Sequence, residues 1–305
     1  MIGRIVEIAQ DGRHLSILRG FMVIEEDRQE VARIPLDDIG MVVANAHGLT
    51  YSNNLLVKLA ERGAGMVFCG ANHHPVAWLW PMEGHHTQTA RMRAQIEASG
   101  PLCKRLWQII VRAKIAQQRA VLESLGEQGS AFDLLARRVR SGDPDNIEAQ
   151  AARRYWPLLM GSEFRRDRNL PGINALLNYG YTVLRAATAR AMVAAGLHPS
   201  IGIHHSNRGD SFCLADDLME PFRPLIDLAA MRLHVARQEQ LRPEVKKALV
   251  NVLFADMRTA YGTTPLATCL ERLASSLAAS FESKRAELDL PFAPLPLDIT
   301  GIGLT

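Results

Sequence analysis

The apolar residues of this 305-residue chain change their spacing once, near residue 80, and this change constrains the fold more than any other feature. Before that point, short apolar or alternating runs are separated by turn signals such as Gln10-Asp11-Gly12, a pattern that predicts strands. The predicted strands are 4–8, 14–18, 22–26, 30–34, 41–43 and 66–69, with one amphipathic helix at 52–62. We therefore expect a small β-rich, sandwich-like domain of mostly antiparallel pairs at residues 1–72.

After residue 87 the apolar positions recur at three- and four-residue spacing almost to the end of the chain, which predicts helices. The segment 73–87, which contains prolines and glycine, is predicted as a linker. The expected helices are 87–99, 102–126, 130–140, 146–160, 172–195, 214–236, 243–258 and 264–287. The expected fold is therefore α+β, with a larger helical domain at 88–290 and a Pro-rich tail at 291–305 that is loosely packed or disordered.

Several features favour a cytoplasmic protein without membrane association. The four cysteines lie far apart with no paired spacing, which is typical of reduced thiols. The first residues alternate as strands do and predict no signal peptide. The most apolar long stretch, 176–197, carries Arg185 and Arg190, so we expect a buried helix there and no membrane span.

The basic residues indicate phosphate binding more by their type than by their number. The net charge of +3 is small, but only six of the 35 basic side chains are lysines. Arginine has a planar fork that suits two-point contacts to phosphate. The alternative is that an Ala- and Arg-rich composition reflects codon bias. Several arginines crowd the middle of the chain: Arg137, Arg138, Arg140, Arg153, Arg154, Arg165, Arg166 and Arg168.

The segment IGIHHSNRGDSFCLADDLMEPFRP, residues 201–224, collects ionisable groups beside an apolar helical stripe. Asp217 and Glu220 lie on the flank of that stripe, about 60° apart around the helix. Two neighbouring carboxylates repel each other unless a cation lies between them. The stripe itself consists of Leu214, Leu218, Phe222, Leu225 and Ala229.

Two prolines make the same segment irregular. Pro221 and Pro224 cannot donate the helical hydrogen bonds to the carbonyls of Asp217 and Glu220. We therefore expect the helix to start or kink here, so that the carboxylates face a cavity. The alternative is an acidic first helical turn, which the helix dipole favours.

Two further positions precede these acids. His204 and His205 lie in an apparent strand, where alternate residues point to opposite faces, so only one of them is expected to face the acids. The alternative is one surface and one core histidine.

Farther upstream, Asp145 and Glu148 have the spacing of a capping box. Ala149 and Ala152 keep the surroundings of Glu148 small, which would let its carboxylate approach another helix. Ile147, Ala151, Tyr155 and Leu158 form the core face.

Three stretches of the helical half together resemble one known family: NIEAQAARRYW, NALLNYGYTVLRAA and GLHPSIGIHHSNRGDSFCLADDLMEPFRPLID. Two stretches of the β half, ARIPLDDIGMVV and MVFCGANHHPVAWLWPMEGHH, match the same family. The family is that of the CRISPR-associated integrases that acquire new spacers, the first-numbered Cas proteins. The resemblance covers most of the chain. The compact length of the chain is most similar to that of the type II branch of the family.

The resemblance implies an N-terminal β domain that dimerises and a helical domain with a divalent-metal site. That site is implied to contain Glu148, His205 rather than His204, and Glu220. Asp217 matches a further acid of the motif and is implied as a ligand, directly or through water. One imidazole with carboxylates suits magnesium or manganese more than zinc. Gln150 departs from the small residues that are usual after the glutamate.

The activity that the resemblance implies is metal-dependent DNA cleavage and the joining of prespacer 3′-hydroxyl ends to a CRISPR repeat. The implied partners are double-stranded DNA, a second copy of the chain, the small second-numbered Cas protein that bridges two dimers, and other type II adaptation proteins. A metal-dependent nuclease of branched DNA in repair and a non-catalytic DNA-binding scaffold remain alternatives. The presence of all three implied ligands argues against the scaffold.

A zinc site in the first half is a separate hypothesis. It would combine Cys69 with His73 or His74 and with His85 or His86. This spacing matches no known zinc finger, and a Pro-rich loop with surface histidines is the alternative.

Overall fold

The computed structural model describes residues 4–70, 75–79, 81, 87–206, 211–292 and 294–303. The chain divides into two compact units, Met1–His86 and Thr87–Thr305. The first unit is built mainly from strands and the second mainly from helices. This arrangement confirms the predicted α+β class.

The first unit consists of two four-stranded sheets and one helix in its described part. The elements are β1 (Arg4–Ile8), β2 (Arg13–Leu18), β3 (Phe21–Glu26), β4 (Gln29–Pro35), β5 (Ile39–Ala44), β6 (Thr50–Tyr51), α1 (Asn53–Glu61), β7 (Gly65–Cys69) and β8 (Pro75–Leu79). The strand orders are β1-β5-β7-β8 and β4-β3-β2-β6. One apolar cluster takes Val42 and Met66 from the first sheet, Leu15 and Met22 from the second, and Leu55 from α1.

The prediction of mostly antiparallel pairs is confirmed only for half of the described strand pairs of this unit: β2–β3, β3–β4 and β7–β8 are antiparallel, whereas β1–β5, β5–β7 and β2–β6 are parallel. The connection from β5 to β7 contains α1, and a helical crossover brings the second strand back in the same direction. Val42 of β5 lies between Val6 of β1 and Met66 of β7 and is fully buried. Alternation within a strand does not reveal its partner, so the sequence pattern could not predict the direction.

Part of the predicted linker 73–87 is a strand. Residues 75–79 form β8, which pairs antiparallel with β7 through Val67 and Trp78, so they extend the first sheet. A proline is tolerated at the first position of an edge strand because it need not donate a hydrogen bond there. The rest of the predicted linker, apart from Pro81 and Thr87, lies outside the described residues.

The second unit packs its helices around two long ones. Its helices are α2 (Gln88–Ile96), α3 (Gly100–Ser124), α4 (Ser130–Arg138), α5 (Ile147–Met160), α6 (Ile173–Ala194), α7 (Cys213–Met219), α8 (Arg223–Val235), α9 (Pro243–Asn251) and α10 (Leu266–Ser283). α6 contacts α7, α8, α9 and α10, while α3 contacts α4, α5, α7 and α8. On α5 the buried face contains Leu159 rather than the predicted Leu158, which is exposed.

The structure differs from two C-terminal expectations. A hairpin of β9 (Asp256–Thr259) and β10 (Gly262–Pro265) joins the two helices predicted at 243–258 and 264–287, and its strands replace the end of the first and the start of the second. The predicted loose tail, in its described residues 291–292 and 294–303, is anchored: the Leu297 N–H donates to the Asp256 carbonyl at 2.8 Å. Arg232 donates to the Ile302 carbonyl at 3.0 Å, and the Ile302 side chain is buried. These contacts hold the tail against the helical unit.

Within the described ranges, no helix is both long and apolar enough to cross a membrane. All four cysteines are free thiols, and three of them, Cys69, Cys213 and Cys269, are buried.

Candidate active site

Glu148 lies in the first turn of α5, where two other side chains cap the helix. Asn146 adopts a left-handed conformation, with φ of 50°, and its side chain accepts from the Ala149 N–H at 3.3 Å. The Asp143 carboxylate accepts from the N–H groups of Ile147 and Glu148 at 2.9 and 3.0 Å. The free backbone donors of the helix start are thus satisfied without the Glu148 carboxylate.

The predicted capping box of Asp145 and Glu148 is therefore wrong. Asp145 forms an ion pair with Arg140 at 2.8 Å instead of capping the helix. The Glu148 carboxylate turns toward α3, where Oε1 lies 2.5 Å from Nζ of Lys114. The small neighbours of Glu148 predict such a close approach to another helix, and the contact with α3 confirms it.

The two histidines do not lie in a strand, and the expectation that they face opposite sides is wrong. Residues 201–206 form bends and irregular backbone. The His204 ring stacks on Trp107 of α3, with centroids 4.2 Å apart and an interplanar angle of 2°. The His205 ring meets the same indole edge-on at 5.6 Å. Both imidazoles therefore pack on one side chain.

Asp217 explains this local conformation. Its Oδ2 accepts from the N–H groups of Ile203 and His204 at 2.8 and 3.0 Å. Its Oδ1 accepts from the His205 N–H at 3.3 Å and from His205 Nδ1 at 2.6 Å. An ionised carboxylate offers about four lone-pair sites, so the buried Asp217 uses its full capacity to curl the loop and hold the His205 ring.

The contact with Asp217 also sets the chemistry of His205. A carboxylate can only accept, so Nδ1 carries a proton, and in the neutral ring Nε2 then keeps the lone pair. The hydrogen bond to Asp217 raises the pKa of His205 above its ordinary value, and the charges of Asp217, Glu220 and Glu148 act in the same direction. The neutral His205 ring thus presents Nε2 as a ligand or acceptor, while the same carboxylates favour the protonated ring.

Gly202 is a structural residue that the sequence reasoning missed. A Cβ atom at this position would collide with the His205 carbonyl oxygen and would lie 2.9 Å from Asp217 Oδ2 and 3.1 Å from Cys213 Cβ. Only glycine therefore permits the tight loop. The signal was its position in Ile-Gly-Ile immediately before the two histidines.

Glu220 lies at the break that the prolines predict. α7 ends at Met219, a 3₁₀ turn spans Glu220–Phe222, and α8 begins at Arg223, which confirms the predicted irregularity. The predicted apolar stripe is buried throughout. Asp217 and Glu220, predicted on the flank of that stripe, are buried as well.

Lys114 joins the two glutamates. Its Nζ lies 2.5 Å from Glu148 Oε1 and 2.5 Å from Glu220 Oε2. Burial opposes the charge of this ammonium, but the carboxylates of Glu220 and Glu148 outweigh that effect and raise the pKa of Lys114. Trp107 and Lys114 are seven residues apart on α3, two turns along the same face, about 10 Å along the axis. The histidines and the glutamates therefore gather on one helix face.

A second set of charged and polar groups lies behind Glu220. Arg223 pairs with Glu220 Oε1 at 2.8 Å, and its guanidinium lies over the Tyr181 ring at 5.0 Å. The Tyr181 hydroxyl donates to the buried Asp227. Burial raises the pKa of Asp227 to about 7. Although burial opposes the charge of Glu220, Arg223 and Lys114 lower its pKa. Sequence reasoning missed Asp227, although it lies two helical turns after Glu220.

The side chains of Glu148, His205 and Glu220 have the donor atoms that a divalent cation prefers. Among the residues that the structure describes, no three His, Cys, Asp or Glu side chains form a ready metal-binding group. Two carboxylates nevertheless converge on one cationic group, and His205 lies in their field. Oε2 of the buried Glu220 lies 2.5 Å from the Lys114 ammonium. Oxygen ligands with one imidazole suit magnesium or manganese.

The clustered arginines are accessible. Arg166 is half-buried and donates to Asn174 and Asn178 at 3.0 and 2.7 Å. The other seven are exposed: Arg137, Arg138, Arg140, Arg153, Arg154, Arg165 and Arg168. They lie on α4, on α5 and in the segments after these helices, where they can meet a large anionic ligand.

The alternative zinc hypothesis remains a prediction. Cys69 is buried at the end of β7. His73, His74, His85 and His86 lie outside the described residues.

Sequence comparison identifies related proteins along nearly the whole chain. A model of the family described as CRISPR associated protein Cas1 matches residues 6–251. The CRISPR-associated endonuclease Cas1 of Neisseria meningitidis serogroup C (strain 8013) is 36% identical over 289 residues. This match covers 93% of the chain and 94% of that protein.

Solved structures share the fold at lower identity. A casposase bound to integration product superimposes with a TM-score of 0.81 and 19% identity, covering 97% of this chain and 95% of that one. A chain of a Cas6-RT-Cas1–Cas2 complex gives a TM-score of 0.77 and 18% identity, covering 96% of this chain and 36% of that one. At these identities the likeness establishes the fold alone.

Proposed function

Because this chain belongs to the family of CRISPR associated protein Cas1, we propose that it is a DNA integrase and endonuclease of CRISPR adaptation. It joins the 3′-hydroxyl ends of prespacer DNA to the repeat of a CRISPR array by transesterification, and with water as the attacking group it cleaves DNA. The observation that carries the proposal is the convergence of Glu148 and Glu220 on one cationic position, beside a histidine that Asp217 orients.

The proposed metal ligands are Glu148, His205 and Glu220. They would hold a magnesium or manganese ion, which supplies charge stabilisation at phosphorus and a more reactive attacking oxygen. In the neutral ring, Nε2 of His205 has the lone pair that such a role needs. The proposal gives Asp217 a positioning role in place of the implied ligand role, because its lone pairs are already used.

The other side chains bind and orient DNA. The exposed arginines contact phosphates, which makes binding depend on salt concentration. Arg223 holds Glu220 from the buried side, so that this carboxylate keeps its place when DNA approaches. The half-exposed His205 ring and the partly exposed Glu148 lie at the accessible side of the site.

The proposed partners follow from the family. They are prespacer and repeat DNA, a second copy of the chain, the Cas2 protein that appears in one related complex, and other type II adaptation proteins. The proposed location is the cytoplasm.

A strand-joining assay tests the proposal. The full chain with Cas2 receives a labelled donor carrying a 3′-hydroxyl, a repeat-containing plasmid and manganese. We expect labelled plasmid from the wild type and less by roughly 10³-fold or more from Glu148→Ala, His205→Ala and Glu220→Ala, because these groups act as a unit. His204→Ala is the matched control, since its ring contacts the same indole, and it should retain joining.

The outcomes separate the alternatives. Cutting of branched DNA without joining would favour the repair nuclease. Binding without either reaction would favour the scaffold. Equal losses in His204→Ala and His205→Ala, with both variants folded, would contradict the choice of His205.

A further inference from the structure

Lys114 is a charged residue on an apolar helix face. Its neighbours Ile110 and Ile115 on α3 are fully buried, and Lys114 itself is only 8% exposed. An isolated buried ammonium is very costly. This one lies 2.5 Å from a carboxylate oxygen of Glu148 and 2.5 Å from one of Glu220. The charge is therefore tolerated because it lies between the two acids.

The arrangement differs from a one-to-one ion pair, because two acids converge on one ammonium. Nζ donates a hydrogen bond to Glu148 Oε1, and Oε2 of the buried Glu220 lies 2.5 Å from the same nitrogen. One oxygen of each acid thus points at a single position.

We propose that Lys114 is an internal competitor of the divalent cation: its ammonium occupies the position between Glu148 and Glu220, and the cation binds there by displacing it. The inference rests on the proposed function, because it takes these two acids as ligands of the proposed metal site. In the metal-free protein, Lys114 suppresses the repulsion between the acids. The site is therefore assembled before the cation arrives.

This competition lowers the affinity for the cation. Only protein molecules with a displaced ammonium can bind the cation, and they are a minor population. The apparent dissociation constant of the cation therefore rises in inverse proportion to that population. Removal of the ammonium should therefore tighten cation binding. An ordinary structural ion pair predicts the opposite, because its loss would separate the ligands.

The test measures binding of manganese to metal-free full-length protein, without DNA, by isothermal titration calorimetry. Lys114→Met removes the charge and keeps the length of the side chain. We expect its dissociation constant to fall about tenfold, which corresponds to a competent population of about 10% in the wild type. Lys246→Met is the matched control, because Lys246 is also 8% exposed but its ammonium lies over the ring of Tyr179. The control should bind manganese as the wild type does.

Thermal denaturation supplies a readout that activity does not affect. Metal-free Lys114→Met should melt below the wild type, and saturating manganese should raise its melting temperature more than that of the wild type, since tighter binding to the folded state stabilises more. An unchanged or weaker affinity of Lys114→Met would overturn the inference.

One further variant separates this inference from the proposed function. Glu148→Gln should abolish manganese binding in the wild-type background. If binding survives this change, the ion lies elsewhere and the proposed metal site fails. If neither the wild type nor Lys114→Met binds manganese, both proposals fail; if only Lys114→Met binds it, the competition is supported.

A measurement on the wild type covers the case in which Lys114→Met does not fold. With lysine labelled by ¹³C at Cε, a magnesium titration followed by NMR should move the Lys114 resonance selectively. A resonance that stays in place while calorimetry records magnesium binding would contradict the displacement. The small number of lysines makes assignment by single substitution practical: Lys58, Lys104, Lys114, Lys246, Lys247 and Lys284.

Discussion

At the scale of single residues, Asp217 shows how one buried carboxylate can organise a reactive neighbour. It accepts hydrogen bonds from three consecutive backbone N–H groups and from the ring of His205. The family resemblance implies Asp217 as a metal ligand, but its oxygens are engaged in holding the loop. We therefore expect Asp217 to act on the reaction through His205.

Asp217→Asn tests this positioning role. The amide keeps the volume but directs an N–H₂ group at donors of the loop. We expect strand joining to fall roughly 10–100-fold, as is typical when the partner of a metal-ligating histidine is lost. Unfolding should become easier by about 1–3 kcal/mol. The measurements are the joining assay and chemical denaturation.

Asp216→Asn is the matched control for that variant. Asp216 precedes Asp217 on the same helix and pairs with Arg185 at 2.6 Å. It should retain joining within a few-fold of the wild type, about one order of magnitude above Asp217→Asn. Equal activities of the two variants would show that Asp217 does not position His205.

At the scale of elements, the sequence predicts the features that depend on residues close to one another in the chain. The helix break at Glu220 follows directly from Pro221 and Pro224, which lack backbone donors. The core stripe of α7 and α8 is buried as helical spacing predicts. Glu148 and Glu220 were identified through the family resemblance, and the structure brings both to Lys114.

What the sequence did not predict depends on contacts between distant segments. Lys114 looks like an interruption of an apolar stripe until α5 and the 3₁₀ turn place two acids against it. The histidines were expected in a strand because their neighbours are apolar, whereas Asp217, twelve residues away from His205, curls the segment. The parallel pairing of β5 with β7 likewise depends on a crossover.

The C-terminal tail offers a test at this scale. Composition predicts a loose segment, but Ile302 is only 4% exposed and the tail hydrogen-bonds to β9 and Arg232. We expect Ile302→Ala to lower the free energy of unfolding by about 2 kcal/mol, because it removes a buried aliphatic side chain. Urea denaturation measures the change.

Leu297→Ala is the control within the same tail. Leu297 is 50% exposed, so its truncation should change the free energy of unfolding by about 0.5 kcal/mol or less. If the tail were loose in solution, both substitutions would have equally small effects.

At the scale of the whole molecule, the number of sites per chain limits what one copy can do. The proposed reaction joins a prespacer at both ends of a repeat, on opposite strands. The chain contains one set of Glu148, His205 and Glu220 and shows no internal repeat. Two reaction sites in one complex must then come from separate copies, and two-fold symmetry is the default for a homo-oligomer.

The last prediction concerns this assembly. We expect light scattering at micromolar concentration to give twice the 33.7 kDa mass of one chain, and a larger complex after addition of Cas2. Two-ended joining should require that larger complex, because each end needs its own site. Mixing wild-type chains with an equal amount of Glu148→Ala chains before assembly should reduce two-ended products more strongly than one-ended products, since both joining sites must then be intact.

A monomeric mass, or efficient two-ended joining by isolated monomers, would contradict the proposed dimer. Equal reductions of both products would show that one site serves both ends in turn.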